Sequence, residues 1–450
     1  DTNFINSLTL EEVENYLQYK TNINSETLKN EYLSILDTLD LDYKEDENKE
    51  KFYQIVKYFY KTGDISKSYN LTNLREIEND KYFNFYKKIE INYMLSTLQL
   101  DNICELKNEY SNNISLDYFL LEKVDIFCLV LEEKFSEAEL LNSLLIETET
   151  ILDNNFQDLY LIVSNSIEQE SSFNIDFEDD INKDLIYLYS AMARIAEVPL
   201  NEKFLNIDPI NLAIPIILNK SSPIDLRIKA ANKSYKNGIL SIESLAALYQ
   251  SVDFDSKQLD DPENTILELK NNEILMAYYF QLINIQIFPS ERIKALKKFW
   301  DFAYEIELED IAYSLTHKIV QSIDISSENI NFSSQIAKSY MYNNDYDNSL
   351  KWVELYESTN QVDEISSYIR ILLSLYTSEN IEGLVNTVQQ NSEQFNLIDS
   401  RKFEELIFVL QIILDQEQIK KLSINFIDSY DNRLMPSLFV IQNISNSIEN

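Results

Sequence analysis

The chain is 450 residues long, 45% hydrophobic and 12% aromatic, with 38 Lys and Arg against 76 Asp and Glu, a formal net charge of −38. That charge repels phosphate backbones and anionic membrane surfaces, so it excludes a nucleic-acid binder and steers basic partners inward. Only three Gly and seven Pro are present, which excludes Gly-rich phosphate loops and argues against a many-stranded protein built on tight hairpins.

Apolar residues recur at helical spacing almost from end to end, and sustained alternation is missing, so the chain reads as all-α. Residues 1–50 read as an N-terminal helical cap closed by an acidic connector, Asp40 to Glu50. Residues 51–165 hold helix–turn–helix patterns: IVKYFYKTGDISKS at 55–68, YMLSTLQLDNICEL at 93–106 and LVLEEKFSEAELL at 129–141. Residues 166–184 are polar, acidic and aperiodic, and read as a loop or linker. A second helical repeat domain follows over 185–450. Its start is irregular because Pro199, Pro209, Pro215 and Pro223 bar long straight helices there. Ser222 is expected to cap a helix that runs to Gly238, and Ser290 to cap the helix SERIKALKKFWDFAYE. Further hairpin patterns are SYKNGILSIESL at 234–245, IAKSYMYNNDYDNSL at 336–350 and LYTSENIEGLV at 375–385. No uninterrupted apolar run reaches the roughly 18–20 residues that cross a bilayer, so no membrane insertion is expected.

The residue after each turn falls at Ile65, Leu100, Phe135, Leu240, Tyr346 and Ile381, at or one residue from multiples of about 35. Phe59, Tyr60, Gly63, Asp64, Ile65 and Ser68 form one strong copy; Tyr340, Asn344, Asp345, Tyr346 and Ser349 form the other, with Asn in place of Gly. The pattern resembles the tetratricopeptide repeat, whose first helix ends in an aromatic pair before a Gly-Asp-Tyr-like turn and a small residue three positions on. The resemblance implies a right-handed α-solenoid, in which stacked helix pairs bury a continuous core that none could bury alone. It also implies a protein-interaction scaffold with an acidic, Tyr-rich concave face for a basic or extended segment of a partner, touched by Tyr60, Asn344 and Tyr346 at the turns.

Catalytic and metal chemistry finds little to stand on. His317 is the only histidine, which excludes a pair of Glu-x-x-His iron ligands, and no ligand spacing supports zinc. Lys61-Thr62-Gly63 spells a penicillin-recognising motif but closes a helix and lacks its Ser-x-x-Lys partner. The acidic run DFEDDINKD lacks the Gly and Glu of a calcium loop. No catalytic residue, metal or cofactor is therefore expected. The alternatives to the scaffold are a structural subunit of a larger assembly and, behind it, a helical enzyme using paired carboxylates. Cys104 and Cys128 are too few for a disulfide framework; they could pair with each other, but two buried free thiols are the expected state. A first residue other than Met, with so few cysteines, tilts the expected compartment toward export or the periplasm.

Overall fold

Helical periodicity becomes helices. The computed structural model describes residues 8–19, 36, 46–73, 80–110, 116–165, 175, 184–358, 364–377 and 381–391. Among these are 22 α-helices and no strand. Most of the cap at 1–50, most of the acidic segment 166–184 and the repeat domain beyond residue 391 lie outside the described residues. The chain divides into two compact units, Asp1–Leu245 and Ala246–Asn450, and the first takes in the acidic stretch at 166–184.

The first unit contains α1 (Leu10–Tyr19), α2 (Asp46–Lys61), α3 (Ile65–Asn73), α4 (Phe83–Ser96), α5 (Leu100–Tyr110), α6 (Leu120–Leu131), α7 (Phe135–Thr148), α8 (Asn154–Val163) and α9 (Ile186–Ile195). Short α10 (Glu202–Ile207) and α11 (Ala213–Leu218) occupy the proline-rich stretch, followed by α12 (Ile224–Lys236) and α13 (Ile242–Gln250), inside which the unit boundary falls. Asp46 to Glu50 open α2 and so belong to a helix, not to a connector. Acids in a first turn suit the positive end of the helix dipole, which is why an acidic string there is compatible with helix.

Sequential helices from α2 through α6 pack on their neighbours, but α9 returns to pack against α4. Arg194 of α9 donates to the Ser96 carbonyl at 3.0 Å. The core centres on Phe52, Tyr86, Phe127, Phe156, Tyr189 and Phe204, all fully buried. Cys104 of α5 and Cys128 of α6 form a disulfide with a Cα separation of 5.6 Å. The free-thiol expectation is thereby corrected: α5 packs on α6, and that brings two backbones within bridging distance.

The second unit continues with α14 (Ser256–Asp260), α15 (Pro262–Glu268), α16 (Asn272–Ile285), α17 (Pro289–Glu305), α18 (Glu309–Val320), α19 (Ser333–Tyr342), α20 (Tyr346–Glu357), α21 (Glu364–Thr377) and α22 (Ile381–Asn391). From α16 to α22 each helix packs on the next. Phe299, Trp300 and Trp352 are buried in it.

Two caps fall elsewhere than expected. Pro289 itself opens α17 at its first position, with Phe288 before it, so Ser290 lies inside the helix. Pro223 stands directly before α12. Ser222 instead clamps the chain at Leu200, accepting from its N–H at 3.1 Å and donating to its carbonyl at 3.2 Å. The helix ends at Lys236, capped by Asn237, and Gly238 directly beyond has the expected left-handed conformation, φ +70°.

Candidate functional site

The sites grow out of the turns. Ile65, Leu100, Phe135, Tyr346 and Ile381 are each the first residue of a helix, while Leu240 lies two residues before α13. Two positions ahead of four of those helix starts, and of Glu309, stand Gly63, Leu98, Glu133, Asn344 and Glu307, with φ between +54° and +79°. Each turn is closed by the same long bond: Asp64 N–H to Phe59 O, 2.9 Å; Gln99 to Met94, 2.9 Å; Lys134 to Leu129, 2.8 Å; Leu308 to Ala303, 2.8 Å; Asp345 to Tyr340, 3.0 Å. This is the Schellman closure, which satisfies carbonyls that the helix end leaves open.

The turns at Gly63 and Asn344 share side-chain devices as well. Asp64 and Asp345 accept the N–H three residues on, at 3.0 and 3.2 Å, capping the second helix. Ser68 and Ser349, both fully buried, donate to Val56 O and Ala337 O, each twelve residues back on the first helix. A larger side chain there would hold the two helices apart.

The predicted contact residues meet different fates. Tyr60 is half-buried in the first unit. Its hydroxyl donates to Asp184 at 3.1 Å and receives from the Asn92 amide at 3.2 Å, and the Lys88 ammonium sits 5.3 Å above its ring. Lys88 also pairs with Asp184 at 3.2 Å. Burial first, then the Asp184 charge, pushes the Tyr60 hydroxyl pKa well up, so it stays protonated. The proline-rich segment closes over the turn that follows. A Cβ on Gly63 would overlap the carbonyl oxygen of Ile207, and Ser66 bonds to Asn211.

Beneath them, fully buried Asp208 accepts from the Tyr187 hydroxyl at 2.9 Å and from the backbone N–H groups of Ile210 and Asn211 at 3.0 and 2.8 Å. Desolvation pushes its pKa up to about 6, with the hydrogen bonds opposing. The arrangement fastens a turn and presents no reactive atom to solvent. A second buried knot ties α6 to the α7–α8 connection: the Lys123 ammonium lies 2.7 Å from both Glu149 and Asp153, and Tyr189 donates to Asp153 at 2.8 Å.

Asn344 and Tyr346 lie together in the second unit. Asn344 is exposed in the left-handed conformation and accepts from the Tyr346 hydroxyl at 2.9 Å. Tyr346 stacks on the exposed ring of Tyr376, with centroids 4.7 Å apart and planes 14° from parallel. On α19 of the same unit, the Lys338 ammonium stands 5.5–5.6 Å from the ring centres of Tyr304, Tyr313 and Tyr342. It is 3.2 Å from Glu309, which also accepts from the Tyr342 hydroxyl at 2.8 Å. Three π faces and a carboxylate thus receive one cation. His317 lies edge-on to Tyr340, and burial pulls its pKa down from 6.5.

One surface was not anticipated. On α7, Ala138, Asn142 and Leu145 are buried, yet Leu140 and Leu144 are 63% and 49% exposed, with Ile151 at 72% just beyond the helix. The signal was in the sequence: ELLNSLLIE carries apolar residues on more than one side of a helix.

Among the described residues no helix is long and apolar enough to cross a membrane, and no group of three His, Cys, Asp or Glu is placed to hold a metal. Compared with family models, curated proteins and solved structures, the chain matches none.

Proposed function

We propose that the protein is a scaffold whose tetratricopeptide-like hairpins continue as a right-handed α-solenoid and receive a basic, extended segment of a partner protein. The observation that carries this reading is the tyrosine edge of the second unit. There Asn344, Tyr346 and Tyr376 present stacked aromatic faces and a polar amide, with exposed Asp347, Glu354 and Glu382 on α20 and α22. Tyrosine offers a large rigid face and a hydroxyl at small entropic cost. Acids around it draw Lys and Arg. The cage about Lys338 is an internal example of the same chemistry, since it holds an ammonium among tyrosines and a carboxylate. Tyr60, with its hydroxyl committed inside the first unit, is not assigned to the contact.

The test is a pull-down from native extract at low and high salt, with bound proteins identified by mass spectrometry and repeated with Tyr346→Ala/Tyr376→Ala. A stoichiometric basic partner that leaves at high salt and is lost with the double variant supports the reading; no partner at either salt sinks it. Ile287 and Phe288, 82% and 69% exposed before α17, favour a second reading, the structural subunit. A salt-resistant set of several subunits would support that one.

A further inference from the structure

The second helix of a repeat hairpin ordinarily has two neighbours, its own first helix and the helix that follows. In the second unit α20 has both, because it packs on α19 and on α21. In the first unit α7 packs on α6, but the next helix, α8, packs on α6 and α9 instead. Helix α8 still reaches α7, through the paired amides of Asn142 and Gln157 at 2.8 and 2.9 Å and where the Glu139 charge acts on the Tyr160 hydroxyl.

The outer side of α7 is nevertheless apolar. Leu140 and Leu144 are one turn apart on one ridge, and an exposed leucine pair on a soluble helix marks a surface that something covers. The flanks of the ridge are acidic. Exposed Glu137 borders it on one side and exposed Glu147 on the other, with exposed Glu133 and Glu139 nearby. The single basic residue between Glu132 and Glu149 is Lys134, paired with Glu132 at 2.7 Å.

We infer that the outer face of α7 docks an amphipathic helix of a partner protein, one with an apolar stripe along its length and Lys or Arg on both sides of it. The apolar stripe follows from the ridge itself: Leu140 and Leu144, both exposed and one turn apart, are matched turn for turn by apolar residues along another helix. The charge follows from the glutamates. A second copy of this chain is the poorer occupant, because a two-fold contact between two α7 helices would set Glu137 and Glu147 against the same acidic edges. The inference rests on the interaction reading above but uses a different unit and a different occupant, a helix in place of an extended segment.

The experiment uses the full chain and a labelled synthetic peptide of about five helical turns, with leucines on one stripe and lysines flanking it. Binding is read by fluorescence anisotropy, with the oligomeric state followed by sedimentation. The peptide is expected to bind, and Leu140→Asp/Leu144→Asp is expected to weaken it by at least about tenfold while thermal unfolding stays unchanged. Glu137→Gln/Glu147→Gln is expected to weaken it less, and to flatten its salt dependence. A peptide that binds the leucine variant as tightly as the original chain overturns the assignment to α7 and leaves the interaction reading standing. A self-associating chain that the leucine variant makes monomeric overturns the choice of occupant. A peptide that binds neither chain overturns the inference, and the pull-down on the tyrosine edge then decides the broader reading by itself.

Discussion

Helices α7 and α20 begin alike and end in different company. Each follows a left-handed residue, Glu133 or Asn344, each is entered through the same long hydrogen bond, and each buries a small residue at its fourth position, Ala138 or Ser349. There the likeness stops. The deep side of α20 holds Trp352 and Val353, and Tyr346 stacks on the following helix, whereas α7 leaves a leucine ridge in solvent. Turn chemistry decides that two helices fold back on each other. It does not decide what covers the second one.

The comparison breaks most sharply at the buried tryptophan. Trp352→Ala should cost about 3–5 kcal/mol, while Leu140→Ala should lie within about 0.5 kcal/mol of the original chain; urea unfolding of the two variants reads both. Reducing the Cys104–Cys128 bridge, which closes residues 24 apart, should cost about 3 kcal/mol. The loss should show as a lower melting temperature of the first unit in the presence of a reductant, and Cys104→Ser should abolish the difference.

Glycine turns come next. Gly63→Ala meets both a φ of +79° and the Ile207 carbonyl and should cost about 2–3 kcal/mol. Gly238→Ala, with open space around its Cβ, should cost about 1 kcal/mol. Equal losses at the two glycines would mean that the proline-rich segment does not press on the first turn.

Asp208 gives a pH signature to the first unit. Its carboxyl has a folded pKa of about 6 against 3.8 for an ordinary aspartate, so the folded state holds the proton more tightly between those values. Its contribution to stability is fully present below pH 3.8 and is lost as the pH rises through 6. The melting temperature of the original chain relative to Asp208→Asn should therefore fall as pH rises from about 4 to about 7. The buried hydroxyls come last: Ser68→Ala and Ser349→Ala should each cost about 1 kcal/mol and leave the melting cooperativity intact.

The parts of this molecule legible in its sequence are those fixed by local chemistry. Helices, the helix starts at Ile65, Leu100, Phe135, Tyr346 and Ile381, and the left-handed turns at Gly63, Gly238 and Asn344 were readable, because periodicity and left-handed turns leave marks in residue type. The turn at Glu307 escaped notice: its left-handed position carries no Gly or Asn, and only the structure shows that Leu98, Glu133 and Glu307 occupy the same conformation. The disulfide was missed because helical spacing says nothing of which faces of α5 and α6 meet. Tyr60 looked like a contact residue at a turn, and nothing nearby in sequence announces Asp184, Asn211 or Ile207 arriving from more than a hundred residues away. The leucine ridge was visible as a pattern, but apolar residues on a second helix face read equally well as core until their exposure is known.

The two packing orders also imply two different timetables for folding. From α16 to α22 each helix finds its partner in the adjacent stretch of chain, so every hairpin closes a short loop and searches little before it docks. Helices α16 to α22 can therefore assemble pair by pair as the polypeptide emerges from the ribosome. The first unit cannot finish that way. Helix α4 must wait for α9, which is made about a hundred residues later, to complete its packing. The rate-limiting event for this protein is expected to be the arrival of α9.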